Sequence, residues 1–379
     1  MKVKLETFLR EITEKTTINN QYPVLTSSKS GLYLQSDYFN KQVASKDNTG
    51  YKIIRKGQFT YRAMSDTGEF FPNMLECAEI GIVSPAYPVF EIVDTSLIVP
   101  EYLKYFFKSD VFQYSIASFV QGSTRTSVKF GKLKTISMEL PDKEKQNQII
   151  EILNATERII ERRKEELQQL DELVKARFVE LFGDIKINNF NVKTAPMTDI
   201  CEIIDGDRGK NYPKQDEFFE EGFCLFLNAK NVTSNGFDFS NCMYISKEKD
   251  EILRKGKLTR GDVILTTRGT IGNLAYYSDD IPFENIRINS GMVILRMNHK
   301  IVDEIFFIEQ FKLQLEDIKR KIASGSAQPQ LPISTMNKIN MIVPPINEQK
   351  YFSEFVKQVD KSKFVEQKIN DIFQFYLTV

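Results

Sequence analysis

The chain has 379 residues, with 51 basic and 51 acidic side chains and 41% hydrophobic residues. This length allows two or three domains with cores of their own, and the composition is that of a globular protein. The zero net charge excludes a uniformly basic surface, so any contact with nucleic acid must come from a local patch.

The chain lacks the features of a membrane or secreted protein. It has no apolar run of the about 20 residues that span a bilayer, so no membrane partner is expected. The first segment, MKVKLETFLREITEK, lacks the apolar region of a secretory signal. The four cysteines form no CxxC pair, which is typical of reduced structural thiols. These features predict a cytoplasmic protein without disulfides or a zinc site.

Residues 1–140 are predicted to form a first domain that mixes strands and helices. YKIIRKGQFTYRAM and IGIVSPAYPVFEIV are rich in β-branched and aromatic residues, which predicts strands. EYLKYFFKSDVFQYSIASF has helical spacing and precedes a Gly-Ser stretch, GSTRTSVKFGKLKTISMELP. The domain therefore has its strands first and a helix late.

Residues 141–184 are predicted to be a central spacer helix. No glycine or proline occurs between Glu144 and Phe182, and Gly183 is expected to cap the helix end. Apolar side chains recur at a seven-residue spacing, which is typical of a coiled-coil seam. A helix of this length spans roughly 58 Å. The predicted seam residues are Leu153, Ile160, Leu167, Leu170, Val174 and Leu181.

Residues 185–345 repeat the order of the first domain. GDVILTTRG, NLAYYS and INSGMVILRM are predicted strands, and EIFFIEQFKLQLEDIKRKI is a predicted helix before the Gly-Ser stretch GSAQPQLPISTMNKINMIVPP. Residues 346–379 then form a C-terminal spacer helix, predicted from about Asn347 to Tyr376. Its predicted seam residues are Phe352, Val356, Val359, Ile369 and Phe373.

The two halves are copies of one domain-plus-helix unit. Shifting the chain by 203 residues places Gly122 on Gly325 and Gln146 on Gln349 without a gap. We therefore predict an α+β fold of two domains, each followed by a long helix, with the two helices packed as an antiparallel coiled coil. The alternative is that each helix packs only on its own domain.

The sequence offers no catalytic constellation, and we predict no catalytic residue, bound cofactor or metal. The one histidine, His299, leaves Ser-His and His-metal chemistry without a second candidate. There is no GxxxxGK[ST] loop for ATP and no GxGxxG after a strand. The acidic residues beside Pro141 stand at a helix start, where capping and the helix dipole account for them.

Polar loops at matching places in both copies are candidates for contact with DNA. Reading of bases requires paired hydrogen-bond donors, and contact with phosphates requires lysine, arginine or backbone amides. The alternative for each loop is an ordinary solvated turn. The candidate residues are Tyr61, Arg62, Ser65, Thr124, Arg125, Lys129, Arg208, Lys210, Asn211, Lys230, Asn231, Thr267 and Arg268.

The pattern resembles the specificity (S) subunit of type I restriction–modification enzymes over essentially the whole chain. The stretches that carry the resemblance are GSAQPQLPISTMNKINMIVPPINEQ, LTRGDVILTTRGTIG, INSGMVILRM and RRKEELQQLDELVKARFVELFGD. The second copy matches better, because the first lacks the Q-P-Q and the E-Q that follows the proline pair.

The resemblance implies a non-catalytic subunit with two target-recognition domains, each reading half of a split, asymmetric site on double-stranded DNA. It implies a pseudo-two-fold arrangement in which the paired helices act as a ruler and dock two modification (methyltransferase) subunits. S-adenosylmethionine, ATP and magnesium are then expected only on the modification and restriction (motor-nuclease) subunits. A second hypothesis is an assembly scaffold that recruits proteins without reading DNA. The missing motifs argue against a third, a self-contained enzyme.

Overall fold

The structure is a computed structural model that describes the backbone of residues 1–38, 47–119, 126–323 and 330–378, and all of these side chains except 321–323 and 364–378. The chain divides into two compact units, Met1–Lys164 with Lys368–Val379, and Glu165–Gln367. Because this division cuts through both long helices, the domain boundaries at residues 140, 184 and 345 remain predictions.

The first half contains short strands followed by helices, as predicted. Its elements are β1 (Lys2–Lys4), β2 (Leu9–Ile12), β3 (Leu25–Ser27), β4 (Leu32–Leu34), α1 (Gln35–Tyr38), β5 (Lys52–Arg55), β6 (Phe59–Thr60), β7 (Met64–Ser65), β8 (Asn73–Met74), β9 (Ile80–Val83), β10 (Val89–Ile92), α2 (Pro100–Lys108), α3 (Asp110–Ala117), β11 (Thr126–Ser127), α4 (Phe130–Leu133), β12 (Ser137–Glu139) and the central helix α5 (Lys143–Phe182).

The second half repeats this order. Its elements are β13 (Thr194–Pro196), α6 (Met197–Ile200), β14 (Cys201–Asp205), β15 (Cys224–Leu227), β16 (Val232–Thr233), β17 (Gly236–Phe237), β18 (Tyr244–Ile245), α7 (Lys247–Ile252), β19 (Val263–Thr266), β20 (Leu274–Tyr276), β21 (Ile286–Ile288), β22 (Met292–Met297), α8 (Glu304–Ala323), α9 (Ile333–Met336), β23 (Asn340–Ile342) and the C-terminal helix α10 (Ile346–Thr378).

Each half has a four-stranded sheet with the same topology. The strand orders are β2-β10-β6-β8 and β14-β22-β19-β20, and every pairing in them is antiparallel. In each half the first strand, β1 or β13, also pairs with the strand just before the long helix, β12 or β23. The structure thus supports the duplication inferred from the sequence.

The two sheets have diverged in charge. In the first, Arg10 pairs with Glu91 across neighbouring strands, and this hydrogen bond lowers the pKa of Glu91. In the second, the corresponding strand pair carries Glu202 opposite Arg296, so the signs are exchanged. Arg296 bonds to the buried Asp262 at 2.9 Å, which raises the pKa of Arg296. The fold is therefore kept while the side chains differ.

Several predicted segments are interrupted, among them IGIVSPAYPVFEIV, which forms β9 and β10, and two of the breaks have a clear local cause. The stretch 51–64 holds β5, β6 and the start of β7, because Gly57 turns the chain with φ +83°. The helical stretch after Glu101 breaks at Ser109, whose hydroxyl accepts a hydrogen bond from the Phe112 N–H and so begins a second helix, α3. Both breaks are local turns that leave the predicted secondary structure type unchanged.

The ends of the central helix are capped as predicted. Asp142 accepts a hydrogen bond from the Lys145 N–H at 2.8 Å, so this carboxylate is a helix cap. At the other end, Gly183 adopts φ +78° and its N–H donates to the Val179 carbonyl at 2.8 Å. Among the described residues, no helix is long and apolar enough to cross a membrane.

Within the second unit the two long helices contact each other. Asp171 and Lys363 form an ion pair at 2.7 Å, and the rings of Phe178 and Phe352 lie 5.4 Å apart. The earlier residue of one helix meets the later residue of the other, so the two segments run antiparallel. The alternative in which each helix packs only on its own domain therefore fails for this segment. A coiled coil over the full length stays a prediction.

Most predicted seam residues are at least partly enclosed. Ile160, Val174, Phe352, Val356 and Val359 are buried, and Leu153, Leu167, Leu170 and Leu181 are half-buried. The side chains of Ile369 and Phe373 lie outside the described residues.

The seven-residue pattern missed two aromatic residues, Phe178 and Phe182, whose side chains are buried. They follow Val174 at the four-residue spacing of one helix face and pack on Phe306 of α8, with ring centroids 5.5 and 5.0 Å apart. The end of the central helix therefore belongs to the core of the second unit.

Candidate nucleic-acid interface

Arg268 stands at the exposed end of β19, where the chain turns at Gly269 with φ +73°. Its Nε donates a hydrogen bond to Oε1 of Gln330 at 3.2 Å, and the two backbones form an antiparallel bridge. This is the one hydrogen bond that the Arg268 side chain makes to a described residue. No described residue bonds to the terminal nitrogens Nη1 and Nη2, which can therefore take a ligand.

Arg208 lies beside the same loop although it is far away in sequence. Its Nη2 bonds to Oδ1 of Asp205 and to the Ser290 carbonyl, both at 3.1 Å. The next residue, Gly291, is so close to Arg268 that an added Cβ would stand 3.9 Å from the Arg268 Cβ. We call this group, made of Arg208, Arg268, Gln330 and the loop at 289–291, the second-domain arginine cluster.

Thr267 supports the arginine cluster from inside the protein. Its N–H and its hydroxyl both donate to the Gly291 carbonyl, at 2.8 and 3.0 Å, and its carbonyl accepts from the Leu331 N–H at 3.0 Å. The side chain is buried, so we do not propose it as a contact to bases. Its role is to fasten the loop at 289–291 and Leu331 to the end of β19.

Two further candidate residues are also structural. Tyr61 is fully buried and donates its hydroxyl to the Val128 carbonyl at 2.9 Å, and burial raises the pKa of this hydroxyl. Asn231 is buried as well, and its amide nitrogen donates to the carbonyls of Asp238 and Asn241, both at 3.0 Å. Because their polar atoms are enclosed, we withdraw both from the proposed contact set.

The other second-domain candidates lie in loops outside the arginine cluster. Lys210 is exposed, and Asn211 is half-buried with its amide bonded to the Ile252 carbonyl at 3.3 Å. Lys230 is exposed on the turn Ala229–Asn231. These lysines remain candidates, and because lysine lacks the planar fork of arginine they are suited to contact with phosphates.

In the first domain, Arg62 is exposed at a cavity of about 580 Å³ whose lining also includes Tyr38, Tyr51 and Tyr87. Ser65 is half-buried, and its hydroxyl lies 3.2 Å from that of Thr67. Lys129 is exposed at the start of α4. The predictions for Thr124 and Arg125 fall outside the described residues.

The first domain has the same backbone arrangement as the arginine cluster but different side chains. Met64 pairs with Ser127 where Arg268 pairs with Gln330 in the second domain. The adjoining bond from the Val128 N–H to the Ala63 carbonyl, 3.0 Å, matches the bond between Leu331 and Thr267. The two copies therefore present different chemistry at one equivalent place.

Arg208 and Arg268 were candidates from the sequence, whereas Gln330 and the loop at 289–291 were not. The available signal was the Q-P-Q that the first copy lacks. No group of three or more His, Cys, Asp or Glu side chains that could hold a metal occurs in the described part of the chain.

A profile of the type I restriction modification DNA specificity domain family matches residues 6–172 and again residues 189–374. The chain belongs to this family. The profile matches the chain twice, and each matched range includes most of one globular domain and much of one long helix.

Two comparisons give named relatives. The chain is 24% identical to the MjaIX specificity subunit of a type I restriction enzyme from Methanocaldococcus jannaschii over 279 residues, 67% of this chain and 61% of that protein. It thus spans under two thirds of that relative. The fold is similar to a crystallised type I S subunit from M. genitalium, with a TM-score of 0.55, 15% identity, and 100% and 93% of the two chains covered.

A second solved structure, from work on assembly and conformational transition of the type I restriction–modification system, has a TM-score of 0.56 and 15% identity to this chain. The comparison covers 100% of this chain and 95% of the other. At this identity the likeness concerns the fold, and it agrees with a specificity chain of two mixed α and β domains.

Proposed function

We propose that the chain is the non-catalytic DNA-recognition subunit of a type I restriction–modification complex. Each domain reads one half of a two-part, asymmetric target, and the long helices set the gap between the halves. The observation that carries this proposal is the second-domain arginine cluster, which an otherwise equivalent first domain replaces with Met64 and Ser127.

The chemistry of the arginine cluster fits the reading of a guanine. Arginine binds guanine through two parallel hydrogen bonds to O6 and N7, which requires a guanidinium held in one plane. Gln330 fixes the Nε edge of Arg268 and leaves the other edge free for such a pair. Arg208, with half of its side chain exposed beside this loop, is suited to a phosphate. The first domain must read its half-site with other residues.

The long helices are suited to docking partners. The central helix exposes the apolar side chains of Ile152, Leu173 and Val179. They are well separated along the helix, so they are individual contact points for a partner rather than one continuous apolar patch. In this proposal the long helices dock two modification subunits, which supply S-adenosylmethionine and methylate adenine. A restriction subunit with ATP and magnesium joins for cleavage, and the complex works on DNA in the cytoplasm.

Replacing Arg268 with alanine is expected to relax the second half-site only. A good bidentate contact provides about 1–3 kcal/mol of discrimination, so preference for one base should fall about 5- to 150-fold. Arg268→Lys keeps the charge but loses the fork, and it should relax the same position. The measurement is the methylation rate of the assembled complex on targets with single base changes in each half-site.

The matched control is Arg320→Ala, which removes an exposed arginine on α8 that pairs with Asp317. This variant should keep the wild-type preference at every position. If Arg268→Lys also keeps it while Arg268→Ala weakens all targets equally, Arg268 contacts a phosphate and the assignment to a base is wrong.

A further inference from the structure

In each unit, one fully buried glutamine ties the first turn of the long helix to its domain. In the first unit this is Gln146. Its Oε1 accepts from the Val99 N–H at 2.8 Å, and its Nε2 donates to the carbonyls of Leu97 and Pro141, both at 2.9 Å. One amide thus connects the helix, the loop that leads into α2 and the proline segment after β12.

The second unit has the same arrangement around Gln349, which is also fully buried. Its Oε1 accepts from the Asp303 N–H at 3.0 Å. Its Nε2 donates to the Ile301 carbonyl at 3.0 Å and to the Pro344 carbonyl at 2.7 Å. Asp303 and Ile301 lie in the loop that leads into α8, the counterpart of α2.

The three bonds are conserved between the copies although the surrounding side chains differ. Leu97 corresponds to Ile301 and Val99 to Asp303, while both prolines and both glutamines are kept. An apolar side chain would fill either space, but it would leave a buried N–H and two carbonyls without partners. The repeated feature is therefore the amide and its three backbone contacts, which fix direction as well as position.

We infer that Gln146 and Gln349 are positioning residues that lock each recognition domain on its helix and so restrict the complex to one gap length. This inference rests on the proposed function. Neighbouring base pairs differ by about 3.4 Å along DNA and by roughly one tenth of a turn around it. We call the contact of Gln146 or Gln349 with its domain the joint. If the joint moves by less than one base-pair step, the complex accepts one gap length. A looser joint would also allow gaps that are one base pair longer or shorter.

The first test is Gln349→Ala in the complete complex. The half-site bases should stay unchanged, while discrimination against a gap one base pair longer or shorter should fall at least about tenfold, because all three buried hydrogen bonds of the amide are lost. Gln146→Ala should do the same from the other domain. Methylation of targets with graded gaps measures this directly. An unchanged single gap in both variants would overturn the inference.

Gln310→Ala is the matched control. Gln310 is fully buried and exchanges two hydrogen bonds with the backbone of Ile342, at 3.1 and 2.6 Å, and neither bond involves a residue of the long helix. This variant should lose stability but keep the single gap. If Gln310→Ala widens the range of accepted gap lengths as much as Gln349→Ala does, a general loss of stability explains the effect and the joint has no special role.

A second measurement does not depend on DNA. The Asp303 amide donates to Gln349, so hydrogen exchange of this amide in the free chain reports the joint itself. Gln349→Ala should speed its exchange and leave β19 protected. An unchanged exchange rate of the Asp303 amide in Gln349→Ala would show that Gln349 does not hold the domain on its helix. A wild-type complex that methylates no two-part target would instead contradict the proposed function.

Discussion

Inserting three heptads into each long helix, after Lys164 and after Gln367, is expected to lengthen the gap by nine or ten base pairs while both half-sites stay the same. Both helices pass from one compact unit to the other at these points. Twenty-one residues add about 31 Å of helix, close to the about 34 Å of one DNA turn. The domains therefore return to nearly the same face of the DNA.

The matched control is an insertion of one heptad in each helix. It adds about 10 Å, or three base pairs, but DNA turns through roughly 100° over that distance while the helix seam does not turn. Methylation should therefore fall strongly on targets of every gap length. Sequencing of methylated DNA measures both variants. Half-sites that change, or a gap that stays the same with three heptads, would show that the helices do not act as the ruler.

Phe178→Ala is expected to lower the free energy of unfolding of the second unit by about 3–5 kcal/mol, the usual cost of removing a buried aromatic ring. Phe178 is fully buried and packs on Phe182, Phe306 and Phe352 at centroid distances of 5.1, 5.5 and 5.4 Å. These rings come from the central helix, α8 and the C-terminal helix. Removing the Phe178 ring therefore removes its packing contacts with all three of these helices.

The control for Phe178 is the next residue, Val179, whose side chain is 47% exposed. Val179→Ala should change the free energy of unfolding by less than about 0.5 kcal/mol. Denaturant-dependent hydrogen exchange of β19 and β22 measures both variants within the complete chain. Equal effects from the two variants would mean that the helix end does not belong to the core of the second unit.

The sequence was informative about the elements and the duplication because these depend on local patterns. The run between Glu144 and Phe182 without glycine or proline predicted the central helix, and its observed bounds, Lys143–Phe182, lie within two residues of the predicted 141–184. The shift of 203 residues predicted two copies, and the two sheets have the same strand order. The heptad spacing, however, identified only the face toward the other helix. Phe178 and Phe182 serve a second face, which depends on the position of α8.

The candidate site was harder to predict because a polar loop side chain can serve its own backbone as readily as a ligand. Asn231 holds two carbonyls of its own loop, and Thr267 holds the Gly291 carbonyl. Nothing in the local sequence distinguishes these from the exposed Arg268. Likewise, the alignment matched Gln146 with Gln349, but their role depends on carbonyls about 48 residues away, which only the tertiary structure brings near.

Whether the chain reads a two-part target can be measured with the chain reconstituted with its cognate modification subunit and supplied with unmethylated DNA. Single-molecule sequencing then maps every methylated adenine. We expect one target made of two different half-sites with a fixed gap. Methylation without sequence preference would contradict it and favour an assembly scaffold that recruits its partners without reading DNA.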